Sequence, residues 1–186
     1  MIGAALLLQV AAAMPLLEQG RFSDARMPLE KACAAREANG CYLLGRTLYT
    51  LDQYEAALRV LTPLAATDRD PWRVQDALGS VYEALRRPAE AERAFVQAVS
   101  GNRDRTADPR YHLGRFLIRE GRPTEAVAIL TPAVEKFPRH ELAHFELGRA
   151  LYQTGRFAEA EIQLSRAPSL EEARRLLDKL KRQGPR

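Results

Sequence analysis

Leu78-Gly79-Ser80-Val81-Tyr82, followed by Pro88 to Ala91 and on to Phe95, is the stretch whose spacing decides the fold. Leu-Gly pairs recur at Leu44-Gly45, Leu78-Gly79, Leu113-Gly114 and Leu147-Gly148, separated by 34, 35 and 34 residues. Twelve residues after each Gly stands an alanine (Ala57, Ala91, Ala126, Ala160), and four beyond that a large apolar residue (Leu61, Phe95, Leu130, Leu164). Three features recurring in register over four copies mark an internal repeat, and this period is that of a helical hairpin.

Two antiparallel helices that cross closely need a residue without bulk at the contact. Gly takes that place on the first helix and Ala on the second, and the large residue fills the space beside them. The turn between the helices favours a residue tolerant of left-handed backbone. Gly121 and Gly155 supply it, while Asp52 and Arg86 stand at the equivalent, less suited places. Asp70-Pro71 and Asp108-Pro109 predict starts of first helices, each a capping carboxylate before a proline whose missing N–H is no loss. Pro88 and Pro123 open second helices, and Pro63 and Pro132 fall inside them.

A degenerate copy lies upstream, where Gly20, Phe22, Ala25, Leu29 and Ala32 precede Asp52, Tyr54, Ala57, Leu61 and Leu64 by 32 residues. Its first helix would come from the apolar residues 1–13, with Ala13 in the place of Gly. That segment has two readings: this helix, or a secretory signal peptide that ends in small residues but lacks the usual Lys or Arg in front. Downstream, Ser169-Leu170-Glu171-Glu172 predicts a capping box opening a helix to about Arg182. Leu170, Ala173, Leu177 and Leu180 share one of its faces and would cover the last apolar surface of the array. The pattern divides the chain into the segment 1–13, a partial repeat 14–37, repeats 38–71, 72–106, 107–140 and 141–168, and a capping helix 169–183.

Of 186 residues 46% are hydrophobic and 28% charged, which excludes a disordered chain. Gln9 and Pro15 interrupt the stretch from Ile2 to Leu17, so no run reaches the roughly 18 residues of a spanning helix, and membrane contact is peripheral at most. Basic residues exceed acidic ones by 28 − 24 = +4, with no Lys/Arg run longer than two, so no nucleic-acid partner is expected. Arginine supplies 24 of those 28 basic residues. Its planar fork clamps carboxylates and stacks on aromatic rings.

One string looks catalytic. His140-Glu141-Leu142-Ala143-His144 matches H-E-x-x-H, in which two imidazoles on one helix face bind zinc beside a glutamate base. The ligands that would complete such a site are missing, since Leu147, Ala150 and Leu164 hold the places of the metzincin Gly and His and of the thermolysin-like Glu. His144 also stands four residues before Gly148, the packing position filled by Cys41, Gln75 and Arg110 in the other copies. Phosphate-loop, dinucleotide and nucleophile-elbow motifs do not occur. No catalytic residue, metal ligand or cofactor is assigned, and a zinc metallopeptidase using His140, Glu141 and His144 is kept only as an alternative.

The repeated residues resemble the tetratricopeptide (TPR) repeat, W-x2-L-G-x2-Y, then A-x3-F, then P. Leu78-Gly79-x2-Tyr82 with Ala91-x3-Phe95 fits it best. The leading Trp is replaced by Cys41, Gln75, Arg110 and His144, and Pro138 is the trailing proline in place. The resemblance covers about residues 38–168. It implies an all-α fold, a right-handed α-solenoid of antiparallel helical hairpins (the TPR superhelix) with a C-terminal capping helix, acting as a non-catalytic scaffold for protein–protein interaction. A structural spacer in a larger assembly is the other non-enzymatic reading.

The resemblance further implies that first helices line a concave groove. By helical spacing the groove side chains are Tyr42, Arg46 and Tyr49, then Asp76, Ser80 and Glu83, then Tyr111, Arg115 and Ile118 with Arg119 beside them, then Phe145, Arg149 and Tyr152. Aromatic and Arg side chains suit a protein or peptide partner that is acidic or carries a free C-terminal carboxylate. Cys33 and Cys41, on either side of an inter-repeat link, are either a disulfide or two buried thiols. Their arrangement is similar to cysteine-rich exported TPR relatives, in which such a spacing carries a bridge. That favours an exported or periplasmic location over a cytoplasmic one.

Overall fold

The computed structural model describes residues 2–68 and 71–183. Eleven helices occur among the described residues: α1 (Ile2–Glu18), α2 (Phe22–Ala34), α3 (Ala38–Thr50), α4 (Tyr54–Thr67), α5 (Trp72–Ala84), α6 (Pro88–Asn102), α7 (Asp108–Arg119), α8 (Pro123–Lys136), α9 (Glu141–Gln153), α10 (Phe157–Ser165) and α11 (Glu171–Gln183). They form two compact units that divide between Gly101 and Asn102. In each unit helices adjacent in sequence pack as successive hairpins, and the first helices of neighbouring hairpins also touch, α3 with α5 and α7 with α9.

The contact expected from the repeat holds each hairpin together. A Cβ placed on Gly45, Gly79, Gly114 or Gly148 would lie 2.4, 2.5, 2.5 or 2.7 Å from the nearest atom of Leu61, Phe95, Leu130 or Leu164, respectively. The large side chain therefore occupies the volume a Cβ would need. Its four-residue neighbours Ala57, Ala91, Ala126 and Ala160 are wholly buried. In the degenerate first hairpin Ala13, Ala25 and Leu29 are buried within one core, and α1 runs as one helix through Ala13.

Each hairpin turn closes by the same backbone device. The residue after the first helix's cap is left-handed, with φ of +71° at Gly20, +57° at Asp52, +58° at Arg86, +74° at Gly121 and +77° at Gly155. The following N–H returns to a carbonyl five residues back, as in Gln53 to Leu48 at 2.9 Å and Arg122 to Leu117 at 2.8 Å. This satisfies helix-end carbonyls that would otherwise have no partner. A clasp then follows in four of the five turns. Arg21, Arg87, Arg122 and Arg156 pair with Asp24, Glu90, Glu125 and Glu159 three residues on, at 2.6–2.8 Å. These pairs are exposed and screened by solvent, so each contributes little to stability.

Cys33 at the end of α2 and Cys41 in α3 form a disulfide, with Cα atoms 4.4 Å apart. The link between them turns at Arg36, whose φ is +62°. Gly40 permits the approach, because a Cβ there would lie 2.6 Å from that of Ala32. Closing so short a loop contributes on the order of 2–3 kcal/mol by restricting the unfolded chain.

Three expected helix starts differ from the structure. Asp108 does not precede α7 but opens it: Ala107 is the cap and Pro109 follows in the first turn. The Asp108 carboxylate is drawn instead toward His140. Asp70 lies outside the described residues, and Pro71 caps α5. Helix α11 opens at Glu171, two residues after Ser169, whose N–H and hydroxyl both donate to the Glu141 carboxylate. The apolar face of α11 is as expected, with Ala173 and Leu180 buried and Leu170 and Leu177 half-buried.

The packing predicts opposite outcomes for two small changes, read as midpoints of urea unfolding. Gly114→Ala forces a methyl into Leu130 and should cost about 1–3 kcal/mol. Arg86→Gly relieves a left-handed residue in an open turn and should gain up to about 1 kcal/mol.

Candidate binding faces of the two units

On α3 the Arg46 guanidinium lies 5.8 Å from the Tyr42 ring centroid, on α7 Arg115 lies 5.7 Å from Tyr111, and on α9 Arg149 lies 5.8 Å from Phe145. Aromatic and Arg four residues apart face one another on a helix, and stacking on the ring orders the guanidinium. All six side chains retain solvent exposure. The end of each of these faces also recurs: Tyr49 packs on Tyr54 at 5.7 Å, and Tyr152 on Phe157 at 5.5 Å.

Unit by unit the surroundings differ. In the first unit Arg73 of α5 reaches the Tyr42 ring at 4.5 Å, so two guanidiniums flank one tyrosine. Asp76, Ser80 and Glu83 line the adjacent part of α5, each half-buried, and the Ser80 hydroxyl donates to the Asp76 carbonyl. In the second unit Arg149 pairs at 2.9 Å with Glu146, a carboxylate of the same helix that is only 3% exposed. Burial pushes the Glu146 carboxyl above the ordinary glutamate range, against the opposing pull of Arg149, Arg115 and Arg119. Lys179 of α11 lies 5.3 Å from the Tyr152 ring. Ile118, expected on this face, is buried, 5% exposed.

Two of these groups escaped the sequence. Glu146 stands between Phe145 and Leu147, in the register of Leu43, Ala77 and His112, and only its lack of an apolar side chain there could have drawn notice. Arg73 lies three residues before Asp76 on the same helical face, a spacing that could have found it. The turn clasps carry a plainer signal, an Arg before the second helix and an acid three residues later.

The His-Glu-x-x-His string is used in packing. His140 precedes α9 as its cap: Nδ1 accepts from the Ala143 N–H at 3.0 Å and Nε2 lies 3.2 Å from Asp108 Oδ1. That hydrogen bond holds the Asp108 carboxyl below its usual range. His144 is wholly buried, with Nε2 donating to the Pro138 carbonyl at 3.1 Å and Nδ1 2.8 Å from the Gln163 side-chain amide. Glu141 holds Ser169, which lowers its pKa. Every nitrogen lone pair that could take a metal already faces a partner. Among the described residues no three His, Cys, Asp or Glu side chains converge.

Models of the tetratricopeptide repeat match residues 42–109 and 77–131, and a second such model matches residues 117–183. The chain belongs to the tetratricopeptide repeat family. TPR proteins are interaction scaffolds, and no catalytic family matches. No curated protein matches the sequence. Among solved structures, the thermophilic TPR protein TTC0263 of Thermus thermophilus is 21% identical over 94% of this chain and 98% of its own, with a TM-score of 0.77. Pseudomonas aeruginosa pilF is 17% identical over 90% of this chain and 77% of its own, with a TM-score of 0.79. YrrB, a TPR protein with an unusual peptide-binding site, is 20% identical over 94% and 90%, with a TM-score of 0.66. At such identities the likeness is one of fold. No helix among the described residues of this TPR protein is long and apolar enough to cross a membrane.

The buried carboxylate gives a sign to the pH dependence. A folded-state pKa raised above the unfolded value stabilises the fold below the ordinary glutamate range, and that stability is lost as pH rises through the raised value. Carboxylates with lowered values, such as Asp108 and Glu141, act in the opposite sense but cancel in a comparison of two variants. Between about pH 4 and pH 7, wild type should therefore lose stability relative to Glu146→Gln, measured by urea unfolding across that range. A difference that does not change with pH would refute this account of Glu146.

Proposed function

We propose that this TPR protein is a non-catalytic scaffold that holds a segment of a protein partner against the faces of its first helices. In the first unit the face comprises Tyr42, Arg46, Tyr49, Asp76, Ser80 and Glu83. In the second it comprises Tyr111, Arg115, Arg119, Phe145, Arg149 and Tyr152. The observation that carries this reading is the recurrence of a partly exposed aromatic with a stacked Arg on α3, α7 and α9. The hairpin core does not need these side chains, since Gly, Ala and Leu or Phe supply its contacts. Rigid rings beside ordered guanidiniums are the anchors that protein interfaces favour. They suit apolar residues of a partner alternating with acidic ones or with a terminal carboxylate.

The Cys33–Cys41 bridge supports action in an oxidising compartment, outside the cytoplasm. The proposal does not rest on that location. Replacing Arg149 is a poor test, because it would leave the Glu146 carboxylate buried without its partner. The aromatic anchors are better targets.

Affinity capture from the native host extract, with wild type and a Tyr111→Ala/Phe145→Ala variant as baits, tests the scaffold reading. Loss of two such anchors should lower recovery of bound protein at least about tenfold, given the usual cost of truncating an interface anchor. Equal recovery by both baits would favour a spacer whose exposed faces only meet solvent.

A further inference from the structure

Within the two units, the place where the repeat pattern has its leading Trp is filled in unlike ways. Where α2 meets α3, Cys41 stands there and is joined to Cys33, the residue four positions after Leu29. Where α8 meets α9, His144 stands there wholly buried, its ring held by Gln163 and the Pro138 carbonyl, and Val134, four positions after Leu130, is buried too. Where α4 meets α5, the matching residues are Gln75, the small Ala65 in the register of Cys33 and Val134, and Ala94 in the register of Gln163. Here a cleft of about 310 Å3 lies between α4 and α6, over α5. Leu78 forms its buried floor, with Ala65 and Ala94 as walls.

The two ends of the cleft differ in chemistry. At one end Gln75 and, on the antiparallel α6, Gln97 supply side-chain amides. At the other, seven residues and roughly 10 Å along α5, stands Tyr82, with the Arg87 guanidinium 5.0 Å from its ring. Arg87 pairs with Glu90 at 2.6 Å. That hydrogen bond holds the Glu90 carboxyl below its usual range, and the charge of Arg93 adds to the effect. Two guanidiniums around one carboxylate leave this end with net positive charge.

From these observations we infer that the cleft over α5 is a second contact site of the scaffold, which takes the indole of a partner protein's tryptophan with an acidic residue beside it. The inference rests on the scaffold reading but uses other helices and other residues than the faces proposed above. A ring belongs in this place by the pattern itself, and His144 shows one seated in the same register with a ring nitrogen on an amide. Gln75 and Gln97 offer amide oxygens to an indole N–H. The volume is about twice that of a cavity that takes up benzene, which leaves room for a two-ring system. Thr62, Ala66 and Gln97 at the rim are exposed, so a side chain can enter while its backbone stays outside. The excess positive charge at the Tyr82 end complements an acidic neighbour of the tryptophan.

The probe is the dipeptide acetyl-Trp-Glu-amide, with acetyl-Trp-Gln-amide, acetyl-Ala-Glu-amide and indole-3-propionate as controls. Binding is followed through the side-chain amide resonances of Gln75 and Gln97 in isotope-labelled full-length protein. The probe should shift both saturably, with little change at Gln163. Acetyl-Ala-Glu-amide should shift neither, and acetyl-Trp-Gln-amide should bind about threefold more weakly, as should the probe to Arg93→Gln, given the modest worth of an exposed ion pair. Gln75→Trp places the protein's own indole in the cleft. It should weaken the probe at least about tenfold, read at Gln97, and raise the midpoint of thermal unfolding. Circular dichroism establishes that each variant is folded, and the control peptides with Arg93→Gln carry the test if Gln75→Trp does not fold.

No saturable shift at Gln75 and Gln97, an equal response at Gln163, or unchanged affinity in a folded Gln75→Trp would overturn the assignment. Equal binding of acetyl-Ala-Glu-amide would overturn the ring, and equal binding of acetyl-Trp-Gln-amide the acidic neighbour. Tighter binding of indole-3-propionate than of the probe would overturn the choice of a protein side chain over a free small molecule. None of these results touches the capture experiment, which depends on Tyr111 and Phe145 of the second unit, so failure of this site and failure of the scaffold reading are told apart.

Discussion

In four hairpins a leucine or phenylalanine occupies the space where the facing glycine has no Cβ, and the rest of the architecture depends on that approach. Atoms separated by 2.4–2.7 Å from a hypothetical Cβ leave no room for even the smallest side chain. With the two helices so close, the alanine one turn away on the second helix is sealed, and the left-handed turn residue must reverse the chain within a few residues. Those restrictions return every 34 or 35 residues. A repeat array then follows, because one hairpin leaves an apolar flank that only the next can cover.

The same packing explains which side chains are left over for function. Once Gly, Ala and the large apolar residue are committed to the hairpin, the remaining face of a first helix has no structural requirement for rings. Yet Tyr42, Tyr111 and Phe145 all stand there, each with an arginine stacked on it. On the proposed binding faces, such stacking would order the guanidinium before a partner arrives and lower the entropy lost on binding. Glu146 adds a difference between the units that the recurring pattern conceals. Its burial is tolerable because three arginines surround it, and its cost shows in the raised pKa.

His140-Glu141-x-x-His144 shows how a chemical motif can be absorbed by a fold. The first imidazole caps α9 and meets Asp108; the second fills a packing position, tied to Pro138 and Gln163. The glutamate receives Ser169, the residue expected to cap its own helix. Asp108 departs from its expected role in the same way, with the distant His140 as partner. In each case a side chain assigned to a local bond also makes one across 28 or 32 residues. Local capping rules weigh only neighbours in sequence, and these competitors are neighbours in space alone.

Spacing and residue size were enough to give the helical hairpins, their turns at Gly20, Asp52, Arg86, Gly121 and Gly155, the Gly-to-Leu and Gly-to-Phe contacts, and the aromatic–Arg pairs within single helices. All of these are relations between residues at most 16 apart, governed by helix geometry and by the absence of a Cβ. Tertiary structure alone decided that Cys33 and Cys41 are joined, that Ile118 is buried, that Arg73 approaches Tyr42, and that Arg149 is already answered by a buried glutamate. The reason is physical: electrostatic and ring contacts depend on distances between separate helices and on exclusion of water, and neither is written in the period of a repeat.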